Sequence, residues 1–137
     1  MQPIKIKFKS HSAETGELAF FEANRDIPFE IKRIYYLYNI KHRQTRGHHA
    51  HKELRQVFIC IHGSCKVMLT NGSERIDVLL NDPTEGLYIE KGLWREIYDF
   101  SHDAVMVVLA SDYYDEQDYI RDYDTYLEYL NQKETAG

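Results

Sequence analysis

Residues 46–63 read RGHHAHKELRQVFICIHG. The stretch contains two short runs that suit strands, 48–53 and 55–61, and closes on a compact turn, His62-Gly63-Ser64. In an extended chain residues two apart share a face, so His49 and His51 point the same way and His48 points away. Arg46 lies an odd number of positions from His49, and strict alternation puts it on the opposite face. Gly47 between them offers a bulge that would relax this. Two imidazoles side by side suit either metal ligation or proton transfer.

Runs of the same kind lie on both sides. Before the histidines come 18–22 and 29–39, and after them 65–70, 74–80, 86–90, 93–100 and 104–110. Asn71-Gly72-Ser73 and Asn81-Asp82-Pro83 mark turns between them. At the N-terminus Ile4, Ile6 and Phe8 alternate with lysines, which predicts a strand with one wet face whose lysines protect an edge. Many short strands with frequent turns argue for an antiparallel barrel or sandwich rather than a βαβ fold. Only the C-terminal part changes period. Tyr119, Ile120, Tyr123, Tyr126, Leu127 and Leu130 fall on one helical stripe, with Asp115, Glu116 and Asp118 in the favoured first turn, so a helix is predicted over 115–131.

The 137 residues suit one domain spanning 1–137. A net charge of −5 with no basic stripe argues against nucleic acid as a partner. No apolar run approaches the roughly 18 residues of a membrane span, so no membrane association is expected. MQPIKIKFKS lacks the apolar core of a signal peptide, and a cytoplasmic protein is expected. Cys60 and Cys65 then read as reduced, buried thiols rather than a disulfide framework.

The spacing around His49-Ala50-His51 resembles the first cupin motif, with one departure. Gln56 stands where that motif has glutamate, and Gly63 follows after the usual gap. The second motif is weaker: Gly92 replaces the usual proline, and no histidine stands at the last metal-ligand position. Two neutral nitrogens fall short of the three or four protein ligands of a catalytic metal site, so neither a metal nor another cofactor is expected.

Over nearly its whole length the chain resembles the TDP-4-keto-6-deoxyglucose 3,4-ketoisomerases, a metal-free cupin family. The resemblance rests on an ordered set of segments. These are Ile27-Pro28-Phe29, Ile31-Lys32-Arg33 with Tyr35-Tyr36, Arg46-Gly47 with His49-Ala50-His51-Lys52, and Gln56-Val57. Gly86-Leu87-Tyr88, Trp94 with Glu96, and Leu109 to Glu116 with Asp118-Tyr119-Ile120-Arg121 complete it. It implies an all-β jelly-roll barrel or sandwich with a C-terminal α-helix. It also implies a homodimer, which can exchange N-terminal strands, and a dTDP-linked keto-deoxysugar substrate with an enediol-type intermediate. The pathway implied is the making of 3-amino deoxysugars for lipopolysaccharide or S-layer glycans.

Shifting a ketone from C4 to C3 requires a base near neutral pKa and donors aimed at the enediolate oxygens. His51 is assigned as the principal C3 base and His49 as its partner. Arg33 and Tyr35 alternate onto one face of their strand and are assigned to substrate binding, with Arg46 holding phosphate or the enediolate. Trp94 offers a stacking surface for thymine. Arg95 occupies a position where relatives carry arginine or histidine, and the resemblance ties it to the face on which C4 is protonated. Two other readings are a dTDP-sugar epimerase, which restores the ketone to its original carbon, and a non-catalytic or metal-binding sugar cupin.

Overall fold

The apolar–polar alternation of the sequence becomes two five-stranded antiparallel sheets in the structure, a computed structural model that describes residues 1–136. In chain order the strands are β1 (Ile4–Lys7), β2 (Lys9–Ala13), β3 (Gly16–Phe20), β4 (Arg33–Leu37), β5 (Arg46–His51) and β6 (Gln56–His62). They continue with β7 (Cys65–Thr70), β8 (Arg75–Leu80), β9 (Glu85–Ile89), β10 (Trp94–Tyr98), β11 (Val105–Ala110) and β12 (Tyr119–Ile120), before the helix α1 (Tyr123–Ala136). One sheet runs β1-β9-β6-β11-β4, the other β12-β5-β10-β7-β8, and β2 pairs only with β3. This is the expected jelly roll. Non-consecutive neighbours give it Greek-key connections, so strands distant in sequence meet at one cavity.

Three apolar clusters hold it together. Between the sheets lie Phe58, Cys60, Cys65, Val67, Leu69, Leu87, Ile97, Met106 and Val108 among others. Outside the first sheet, Phe8, Ile27 and Phe29 cover Val57, Ile59 and Leu109. Outside the second, α1 brings Tyr126 onto Ala50, Met68, Trp94 and Ile120. Tyr126 is fully buried, and its hydroxyl donates to the carbonyls of Gly92 (2.7 Å) and Thr70 (3.2 Å).

The helix starts later than the stripe predicts, at Tyr123 rather than 115. Residues Glu116–Asp118 form a 3₁₀ turn capped by the Asp115 side chain, and Tyr119–Ile120 pair with His51 and Ala50 on β5. Asp118 explains the difference. Its carboxylate accepts the backbone N–H groups of Glu53 (2.8 Å) and Leu54 (3.3 Å), tying the segment to the loop after β5. Those distant bonds outweigh local helical periodicity. No described helix is long and apolar enough to cross a membrane.

Candidate active site

The two histidines face the space between the sheets because Ala50, between them, faces α1. Their strand carries a bulge. On β10, Arg95 pairs with His49 and Glu96 pairs with Gly47, which leaves His48 as the extra residue. The bulge requires Gly47: its φ is +87°, and a Cβ there would lie 2.9 Å from the Arg95 carbonyl oxygen. Beyond it Arg46 pairs with Ile97, a residue of the inter-sheet core, so Arg46 returns to the same face as His49. The inserted residue thus reverses the parity that strict alternation gives.

The cavity encloses about 420 Å³. Leu37, Phe58, Ile97 and Met106 contribute apolar lining, and Arg33, Tyr35, Arg46, His49, Arg95, Tyr119 and Arg121 contribute the polar part. His49 Nδ1 lies 3.0 Å from the Gly47 carbonyl oxygen, and His51 Nδ1 lies 3.0 Å from Asp118 Oδ2. An oxygen that can only accept forces each Nδ1 to donate, so each Nε2 keeps its lone pair. Both Nε2 atoms are buried and have no partner. The rings meet edge to face with centroids 4.8 Å apart, and both pack on Tyr119.

Burial, reinforced by the Arg95 charge, lowers the His49 pKa to about 4. The same causes, with His49 added, lower that of His51, against the pull of the Asp118 carboxylate. Both imidazoles are therefore neutral bases at pH 7. Arg95 is fully buried and, through burial, drops to a pKa of about 10, which leaves it charged. Its Nη1 donates to Gln56 Oε1 and its Nη2 to the Leu93 carbonyl, while Nε has no partner. Gln56 Nε2 in turn donates to the Tyr35 hydroxyl at 3.1 Å. Burial raises the Tyr35 pKa, so the phenol keeps its proton and can donate it onward.

On β4, Arg33 lies over the rings of Tyr35 and Tyr114, with Nε and Nη2 buried and unpartnered. Arg33 and Arg46 are in no ion pair among the described residues, whereas Arg121 is held by Glu116 through two bonds.

Of the residues singled out in the sequence, Arg33, Tyr35, Arg46, His49 and Arg95 line one cavity, and His51 lies directly behind His49. Trp94 does not join them, which corrects its assignment to the substrate. It precedes Arg95 on β10 and so faces outward, where it packs against Tyr123 and Tyr126 of α1 and donates to Glu96. Sequence reasoning missed Asp118 as the partner of His51, because its charge read as a helix N-terminal residue. It also missed Gln56 as a bridge between Arg95 and Tyr35. The motif marked that position, but only as a lost metal ligand.

A family model described as FdtA, WxcM-like, C-terminal matches residues 2–131. A TDP-4-oxo-6-deoxy-alpha-D-glucose-3,4-oxoisomerase from Aneurinibacillus thermoaerophilus is 49% identical over 130 residues, 95% of this chain and 94% of that one. The sugar 3,4-ketoisomerase QdtA from Thermoanaerobacterium thermosaccharolyticum, solved with TDP, is 46% identical with a TM-score of 0.92, covering 96% of each chain. A histidine-to-asparagine variant of QdtA, solved with TDP-4-keto-6-deoxyglucose, has the same identity and TM-score, covering 95% of this chain and 94% of that one. The epimerase NovW from Streptomyces spheroides, at 14% identity and a TM-score of 0.71 over 84% of this chain and 66% of that one, shares the fold. Matched almost end to end by that family model and by relatives that share nearly half its residues, the chain belongs to the FdtA, WxcM-like family of sugar 3,4-ketoisomerases.

Proposed function

We propose that the protein converts TDP-4-keto-6-deoxyglucose into the 3-keto isomer through an enediolate, by proton transfer without a metal. The observation that carries this reading is a pair of neutral imidazoles with free Nε2 atoms, His49 lining the cavity beside the uncompensated Arg95 guanidinium and His51 packed behind it. The reaction moves two protons. C3 loses one and C4 gains one, while the C3 hydroxyl loses its proton and the C4 oxygen acquires one. His49, which lines the cavity, suits the carbon transfer. The sequence alone favoured His51, but that ring is 1% exposed and stands behind His49, where it fixes the position of the reacting imidazole. Tyr35 accepts from Gln56 and so has its own hydrogen free for the sugar oxygens. Arg95 faces the charge that builds up on the enediolate, where a preorganised donor is most effective. Arg33 and Arg46, cations without acidic partners, suit the diphosphate.

The donor set supports chemistry without a metal. Gln56 Oε1 is committed to Arg95, and that buried cation opposes a second positive charge beside the imidazoles. The test of the function is the position of the ketone after incubation with TDP-4-keto-6-deoxyglucose, read by carbon NMR. A ketone at C3 is expected. A ketone still at C4 with an inverted neighbouring centre would establish epimerisation instead. The product has the carbonyl that a transaminase needs to place an amino group at C3.

A homodimer completes the proposal. The β2–β3 hairpin pairs with neither sheet, and Leu18 on it is 58% exposed. On the outer face of β4 and just beyond it, Ile34, Tyr36 and Tyr38 are equally open. Large apolar side chains left this open suit an interface. Light scattering should give twice the 16.3 kDa of one chain, and a monomer mass would refute the assembly.

A further inference from the structure

Arg95 is the largest fully buried side chain in the protein, yet no carboxylate bonds to it. Burying an unpaired charge is costly, and proteins ordinarily offset it with an opposite charge. Here the position such a charge would occupy holds the neutral Gln56, whose carbonyl oxygen accepts from Nη1 and whose amide donates to Tyr35. A glutamate at 56 fits the same space. It would accept from Arg95, and it would accept from Tyr35 once the phenol hydrogen turned towards it. Hydrogen bonding alone therefore gives no reason for an amide.

We propose that Gln56 is a positioning residue whose neutrality is its function: it aims Arg95 and Tyr35 while leaving the guanidinium charge for the enediolate and the phenol hydrogen for the sugar. This rests on the ketoisomerase reading and extends it to a residue that touches no substrate. The groups around His49 all bear on the test. They are Arg95 on β10, His48 and His51 on β5, Tyr119 and Arg121 at β12, and Arg33 and Tyr35 on β4. Arg121 is already neutralised by Glu116, so Arg95 is the charge that Gln56→Glu would change most.

The experiment compares Gln56→Glu with the wild type in kcat, KM and the imidazole titration of His49, followed by NMR. A residue that only bridges its neighbours predicts little change, because glutamate preserves both contacts. The proposal predicts a kcat lower by about 10²–10³, the range for losing one transition-state donor, with KM changed far less. It also predicts that the His49 titration moves upward from about 4, because the ion pair removes a repulsive charge. Activity within a factor of two of wild type would overturn it, and so would lost activity with the His49 titration unmoved. Arg95→Met tests the same charge effect on His49 independently should Gln56→Glu not fold, and an unmoved His49 titration there would also overturn it. The titrations do not depend on turnover, so a failure of the ketoisomerase reading itself would show separately, as a wild type that leaves the ketone at C4.

Discussion

Replacing His49 with glutamine lowers kcat by about 10²–10⁴, the usual contribution of a positioned general base, and leaves TDP affinity nearly unchanged. The substitution removes the one imidazole nitrogen that both lines the cavity and keeps an unshared lone pair. The diphosphate cations, Arg33 and Arg46, are untouched. The pH profile of the wild type checks the same assignment. A base must be neutral to act, and burial with Arg95 holds His49 at about 4 instead of the ordinary 6.5. The acid limb of kcat/KM, which reports the free enzyme, is therefore expected near pH 4, with activity level through pH 6. A limb near 6.5 would point to a solvated histidine and contradict the site described here. Stability follows the same linkage. Because the folded-state pKa is depressed, the stability owed to neutral His49 is complete above 6.5 and is lost as the pH falls towards 4. Brief acid exposure with return to pH 7 separates titration of the base from unfolding.

Arg95→Met gives the second large effect. Methionine preserves most of the length but removes the cation, and kcat should fall by about 10²–10³ as the enediolate loses its donor. Two further readouts identify the cause. The acid limb should rise from pH 4, since a charge that opposes protonation of His49 has gone. The melting temperature should not drop with the activity, because a buried charge without a carboxylate partner is a burden on the fold. A variant that melts early and keeps its pH profile would make Arg95 a structural residue.

The sequence shows most of this architecture. The short runs at 55–61 and 65–70 match β6 and β7 closely, and His49 and His51 share a face as period two requires. The departures have physical causes that lie far away in the chain. Asp118 leaves the helical pattern because the amides of residues 53 and 54 and the His51 ring compete for its carboxylate. Strand β2, read KSHSA, has no apolar alternation and forms only by pairing with β3. The face of Arg46 depends on a bulge that Gly47 permits but does not dictate. Trp94 and Arg95 are neighbours in sequence, and only the placement of α1 shows which of them faces the cavity and which the helix. Which of the two rings reaches the cavity was likewise closed to sequence reading.

The most direct test of the account is proton NMR of TDP-4-keto-6-deoxyglucose incubated with chelator-treated protein in deuterated water. The expected result is undiminished conversion to the 3-ketone with solvent deuterium at C4, delivered by His49, which lines the cavity. Folded protein that leaves the ketone at C4 and the C3 hydrogen unexchanged, or that works only after a metal is restored, would contradict it.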